Sequence, residues 1–109
     1  MAANDRTLED HKAWIAQVDE TALEPDLPIC DPHHHLWLDN GHIGWPYTLA
    51  DFHEDTTAGH NVVCSIFLEC HAEYHTDGPA HLRSVGEVAF VAELAEQSAA
   101  SGKTEIAGI

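Results

Sequence analysis

Three consecutive histidines lie in the segment 29–37, which reads Ile-Cys-Asp-Pro-His-His-His-Leu-Trp. In an extended strand the side chains alternate between two faces, so His33 and His35 should project to one side together with Asp31. Histidine nitrogen binds a divalent ion at ~2.0–2.1 Å, and two neutral imidazoles on one face can share that ion. The pattern favours a metal site formed by His33 and His35 over the alternative, a histidine cluster in a solvated loop.

Two neighbours of this pair have roles that the residues alone leave open. Asp31 is suited to orient His33 as an outer carboxylate, and it is equally suited to begin a turn before Pro32. His34 points away from the pair in an extended segment, so we expect a packed or hydrogen-bonded histidine there rather than a metal ligand.

The apolar stretch 62–70 predicts a buried strand whose two faces differ in composition. One face holds Val63, Ser65, Phe67, Glu69 and His71, and the other holds Cys64, Ile66, Leu68 and Cys70. The second, wholly apolar set is expected to pack beneath helices, which would turn Glu69 towards the interior at the end of the strand. Glu69 is therefore a candidate for substrate binding, with a structural ion pair as the alternative.

A second histidine pair, His71 and His75, has a spacing that serves a metal only on a helix. The following residues 76–79 read Thr-Asp-Gly-Pro, which predicts a loop, so both histidines are expected to be exposed loop residues.

The composition excludes several classes of function. The chain has 109 residues and a formal net charge of −15, from 19 acidic and 4 basic residues, which argues against binding to nucleic acid or to an anionic membrane. No apolar run has the ~18 residues of a membrane span, and the N-terminus lacks a signal-peptide pattern. The odd number of cysteines, Cys30, Cys64 and Cys70, suits buried thiols in a reducing compartment, so a cytoplasmic location is expected.

The order of the predicted elements divides the chain into two parts. Residues 1–27 form an arm, with a helix over 8–20 that begins at a Thr7–Asp10 capping box and leads into an acidic linker. Residues 28–109 alternate between strands and helices, with strands predicted at 28–35, 62–70 and 105–109 and helices at 47–59 and 80–98. The first strand is expected to be irregular or to end at Pro32, which has no N–H for the ladder. The second helix is expected to stop near Gly102, and its apolar positions recur at helical spacing: Leu82, Val85, Val88, Val91, Leu94 and Ala95. Helical crossovers of this length require parallel strands, so the predicted fold is α/β.

Three strands and two helices do not close a barrel, and the sequence stops inside its third strand. A strand edge left open there would be costly, so we expect the chain to be the N-terminal piece of a larger α/β protein. A three-stranded mini-domain is the alternative.

Several segments together resemble the amidohydrolase-related (amidohydrolase 2) family, over about residues 28–109. The matching segments are Pro28–Trp37, Tyr47–Asp51, Gly59–Val63, Leu68–His71, Asp77–Pro79, Val85–Glu87 and Ile106–Ile109. The resemblance implies an eight-stranded (β/α)₈ TIM barrel, typically ~250 residues, with its active site at the carboxyl ends of the strands. This chain would then contain the first two βα units and the start of the third strand.

The resemblance also implies a metal-dependent hydrolase that attacks a lactone, amide or related bond with metal-activated water. The family's His-x-His pair corresponds to His33 and His35, with zinc or manganese as the expected ion, although some lactonases of the group are thought to use no metal. The other ligands and the catalytic acid or base would come from later strands, so no catalytic residue is assigned here and the isolated chain is expected to be inactive.

Two other functions stay open at the level of the sequence. One is a non-oxidative decarboxylase on the same barrel, and the other is a small non-enzymatic metal-binding module that adds Cys30, Cys70 or His71 to the histidine triplet. The expected partners are a small-molecule substrate and the remainder of the barrel. The oligomeric state, a homo-oligomer included, is left open.

Overall fold

The computed structural model describes residues 6–40 and 42–109. Its helices are α1 (Leu8–Ile15), α2 (Leu49–Thr56) and α3 (Val85–Ser101), and its strands are β1 (Pro28–His34), β2 (Asn61–Phe67) and β3 (Glu105–Gly108). A short 3₁₀ turn at Ala80–Leu82 precedes α3. The predicted α/β class and the predicted order of elements are confirmed, and no helix in the described ranges is long and apolar enough to cross a membrane.

The three strands form one parallel sheet in the order β1-β2-β3, and each crossover carries a helix. Residues from both crossover helices and from the strands join in one buried cluster. Its members are Leu36, Phe52, Phe67, Cys70, Ala72, Val91 and Ile106. Because Phe52 comes from α2 and Val91 from α3, the two helices cover the same face of the sheet.

The arm helix α1 begins as predicted and ends early. Thr7 and Asp10 form the expected capping box, with the Asp10 amide donating to the Thr7 hydroxyl over 3.1 Å. The helix stops at Ile15 instead of Glu20, and none of its residues is buried. A short helix without a packed face has little to stabilise its last turns, so the predicted length was wrong.

Strand β1 is irregular at Pro32, as the sequence predicts. Its partners on β2 run from Asp31↔Ser65 directly to His34↔Phe67, which leaves Pro32 and His33 outside the regular ladder. Proline has no N–H to donate to a neighbouring strand, so the interruption falls where the donor is missing.

The predicted facing of β2 was wrong. Ser65 and Phe67 are 0% and 1% exposed and lie on the helix-covered face, whereas Cys64 and Ile66 are only half-buried. The strand also ends at Phe67 rather than Cys70. Both faces of β2 carry mostly apolar residues, so composition alone does not fix which face is covered, and an error of one residue in phase inverts every side chain.

Helix α3 ends at Gly102, whose φ of 72° gives the left-handed cap that the sequence predicts. Its buried face differs from the predicted one, since Val85 and Val88 are each about half exposed. The buried positions are instead Gly86, Glu87, Val91 and Ser98. The amide of Ile106 on β3 donates to the Ser98 hydroxyl over 2.9 Å, which ties the helix to the sheet.

Candidate metal and substrate site

The structure brings the rings of His33 and His35 together at the carboxyl end of β1. Their Nε2 atoms lie 3.0 Å apart, with ring centroids 4.8 Å apart and ring planes nearly perpendicular. His33 is exposed and His35 is half-buried. The two nitrogens are close enough to share either a proton or a metal ion, because nitrogens ~2.1 Å from one ion lie about 3–3.4 Å apart at ordinary coordination angles.

The backbone of Leu68 fixes the orientation of His35. Nδ1 of His35 lies 2.9 Å from the carbonyl oxygen of Leu68. A carbonyl only accepts, so Nδ1 carries a hydrogen, and in the neutral ring the lone pair lies on Nε2, on the side of His33. The Leu68 amide in turn donates to the His34 carbonyl over 3.0 Å. This arrangement, a histidine anchored through one nitrogen and open at the other, is typical of metal-binding histidines.

His34 belongs to the buried interior rather than to the pair. Its Nδ1 lies 2.6 Å from the Ser65 hydroxyl, and its ring stacks on Phe52 at a centroid distance of 4.3 Å. Burial lowers the pKa of His34, which favours the neutral ring. The prediction that His34 is packed and hydrogen-bonded rather than a ligand is confirmed.

Asp31 contacts the backbone of His33 rather than its ring. Its carboxylate accepts the backbone N–H of His33 over 3.1 Å, across Pro32. This contact lies at the irregular part of β1, between the Asp31 and His34 ladder positions, and it leaves the His33 ring unbound by Asp31.

A cavity of about 520 Å³ lies beside the histidine pair. Imidazole, aromatic, acidic, hydroxyl and aliphatic side chains line it. They belong to Asp31, His33, His34, His35, Trp37, Ile43, Tyr47, Phe52, Asp55, Thr56 and Val62. Trp37 and Tyr47 exchange two backbone hydrogen bonds of 2.9 Å, which close the loop between them. The Tyr47 hydroxyl donates to Asp55, and burial together with this carboxylate raises the pKa of Tyr47, so the phenol stays protonated.

Glu69 lies outside this lining. It is exposed, and its carboxylate accepts a 2.7 Å hydrogen bond from the Tyr74 hydroxyl, which raises the pKa of Tyr74 to about 12. Because β2 ends at Phe67, Glu69 belongs to the loop after the strand. Its role in substrate binding stays a prediction.

The second histidine pair lies in a loop, as predicted. His71 has a left-handed φ of 63°, and its ring packs on Tyr74 at a centroid distance of 4.8 Å. His75 is exposed and donates its backbone N–H to Arg83.

Glu87 is a buried carboxylate that supports the loop after Leu68, and the sequence analysis does not single it out. It is 4% exposed, and its carboxylate accepts the backbone N–H groups of Cys70 over 3.1 Å and of Ala72 over 2.6 Å. These bonds hold the loop that follows Leu68. The signal was present in the sequence, since Glu87 precedes Val91 by one helical turn on the buried face of α3, where a carboxylate needs a partner.

Within the described ranges, no group of three or more histidine, cysteine, aspartate or glutamate side chains is placed to hold an ion together. The histidine pair thus offers two nitrogen ligands. In comparisons with protein-family models, with curated proteins and with solved structures, no match was found.

Proposed function

We propose that this chain supplies the first two metal ligands of a metal-dependent hydrolase of the amidohydrolase type, which acts on a lactone, amide or related bond of a small-molecule substrate. The observation that carries the proposal is the 3.0 Å approach of the Nε2 atoms of His33 and His35 at the carboxyl end of a parallel strand. The family resemblance of residues 28–109 points to the same pair.

The topology supports a place for this sheet in a (β/α)₈ barrel. In doubly wound folds the strand order reverses near the first strand and helices cover both faces, whereas a barrel adds strands in sequence order with helices on one side. Here the order is β1-β2-β3 and the helices α2 and α3 cover the same face. Active sites of such barrels lie at the carboxyl ends of the strands, which is where the histidine pair lies.

The residues present fit a zinc or manganese ion in part. His35 is anchored through Nδ1, which leaves its Nε2 for a ligand, and the Nε2 of His33 lies 3.0 Å from it. A bound ion would activate water and polarise the scissile carbonyl. The remaining ligands and the catalytic acid or base would come from further strands of the barrel.

The described lining of the cavity contains the carboxylates of Asp31 and Asp55 and no lysine or arginine. An uncharged lactone or amide substrate meets no electrostatic repulsion from these carboxylates. The three cysteines are all free, in keeping with the reducing cytoplasmic setting that we propose for the protein.

The direct test is a calorimetric titration of the full chain with zinc and with manganese. We expect one ion per chain, and we expect His33→Ala and His35→Ala each to weaken binding by more than about tenfold, since even outer-shell partners contribute ~10–100-fold. His81→Ala is the matched control, because His81 is an exposed histidine far along the chain.

Equal binding by wild type and both pair variants would refute the metal site. An equal loss in the His81→Ala control would show that the ion binds the histidine-rich, acidic surface without a defined position.

A further inference from the structure

Cys30 and Cys64 form a pair on the sheet face opposite the helices. They are Cα partners in the parallel ladder between β1 and β2, so their side chains project to the same side. Cys30 is exposed and Cys64 is half-buried, and both are free thiols. The third cysteine, Cys70, is buried in the helix-covered core.

The geometry allows a bond between the two sulfurs. Neighbouring strands lie ~4.7–4.9 Å apart, which falls within the ~4.4–6.8 Å that separates the Cα atoms of a disulfide. The Cβ atoms of directly paired residues are separated by nearly the distance between the strands. This Cβ–Cβ separation is somewhat longer than the ~3.8 Å mean found in disulfides. The bond can therefore form with a small movement of the strands, and the resulting strain makes it easy to reduce.

The surroundings of Cys64 favour its protonated thiol. A hydrogen bond with Cys30, burial and the nearby Glu105 carboxylate together raise the pKa of Cys64. Glu105 lies on β3, the other neighbour of β2, where it is the Cα partner of Cys64. Thiols of this kind react slowly one at a time, but once one sulfur is modified the other lies within reach.

We infer that Cys30 and Cys64 act as a redox pair, which a small-molecule disulfide such as oxidised glutathione converts to an inter-strand disulfide. In the first step one cysteine thiolate attacks a glutathione sulfur, and one reduced glutathione leaves. In the second step the other cysteine thiolate attacks the mixed disulfide, so that the Cys30–Cys64 bond forms and a second reduced glutathione leaves. The two thiol hydrogens of the protein end on the two glutathione molecules.

The consequence is a reversible covalent link between β1 and β2, placed three residues before His33. This link depends on the register of β1 and β2 and on the exposure of Cys30 in this chain.

The test equilibrates the full chain with set ratios of reduced and oxidised glutathione, followed by acid quenching and intact mass measurement. Wild type should lose two hydrogens with no glutathione adduct, and peptide mapping should place the bond between Cys30 and Cys64. Cys70→Ser should behave like wild type. Cys30→Ser and Cys64→Ser should each retain a glutathione adduct instead, because the partner thiol is missing.

The same equilibration in denaturant shows whether the disulfide forms because the fold holds the two cysteines side by side or because they meet by chance. Unfolding should lower the effective concentration of the pair at least about tenfold and admit bonds to Cys70. Two independent glutathione adducts on folded wild type, disulfide-linked dimers, or an internal bond that includes Cys70 would each overturn the inference.

Discussion

The polar side chains between the helices and the sheet are buried, whereas the polar side chains at the end of β1 are accessible to solvent. Ser65, Glu87 and Ser98 are nearly inaccessible, and each has a short hydrogen bond to a defined partner. His33 and His35 are more accessible, and only His35 is anchored to the backbone. Buried polar groups need partners to offset their desolvation, so the first group stabilises the fold, while the second is the pair for which we propose a metal ligand role.

The histidine triplet shows this difference within three residues. His34 is held between Ser65 and Phe52, whereas the rings of its two neighbours approach each other at the end of β1. The same residue type is therefore packed in the interior at one position and accessible at the next, and contacts with the neighbouring strand and helix decide which.

The largest effect in this comparison is expected for Glu87→Ala. The variant leaves the buried N–H groups of Cys70 and Ala72 without an acceptor, which should lower the free energy of unfolding by about 3 kcal/mol. Urea unfolding followed by circular dichroism measures the loss. Glu93→Ala, an exposed carboxylate on the same helix, is the control and should change stability by less than ~0.5 kcal/mol. Equal stabilities for the two variants would remove Glu87 from the buried framework.

An intermediate effect is expected for His34→Ala. It removes a stacked ring from Phe52 and leaves the Ser65 hydroxyl unpaired, at a cost of about 2 kcal/mol. His33→Ala is the matched variant at the neighbouring exposed position, and it should cost less than ~0.5 kcal/mol while weakening metal binding. Thermal unfolding and zinc titration of both proteins check the contrast. A reversed order of stabilities would show that the roles within the triplet are misassigned.

The smallest effects are expected at the two helix caps. Thr48 and Asp51 form a capping box at the start of α2, and Thr48→Ala should cost about 1 kcal/mol, because α2 packs on the sheet through Phe52. The equivalent Thr7→Ala change lies on α1, which buries none of its residues, so it should leave global unfolding almost unchanged. Urea midpoints of the two variants test this difference, and equal losses would mean that α1 contributes to the cooperative fold.

The α2 cap also predicts a dependence on pH. Hydrogen bonds from the Thr48 backbone and hydroxyl lower the pKa of Asp51, so the folded chain favours the carboxylate. Its contribution is complete above the unfolded value of ~3.9 and is lost as the pH falls through the folded pKa. Asp51→Asn should therefore be less stable than wild type at neutral pH and should approach it in acid. A constant difference between pH 7 and pH 2 would contradict this assignment.

Much of the architecture follows from the sequence. The order of elements, the irregularity at Pro32, the Thr7–Asp10 cap and the stop at Gly102 are all local signals, and the structure confirms each one. The approach of His33 to His35 also follows from their spacing, because it needs only an extended backbone.

The remaining features depend on contacts between distant residues. The covered face of β2 was misjudged, because Ser65 is buried by its bond to His34, which lies 31 positions earlier. The buried face of α3 was misjudged in the same way, since Glu87 is placed inside by amides of a loop that no periodicity describes. Substrate binding by Glu69 and metal binding by the histidine pair stay predictions. Both involve a bound molecule or ion, so binding experiments test them.

Gly86 has a consequence for how the histidine pair keeps its shape. A Cβ at this position would lie 2.5 Å from the Glu73 carbonyl oxygen and 2.7 Å from the His75 amide nitrogen, so the first turn of α3 touches the loop backbone directly. That loop continues from Leu68, whose carbonyl decides which nitrogen of His35 bears its proton. A methyl group added at Gly86 would therefore push on the loop that begins at the backbone partner of His35, more than fifty positions away along the chain.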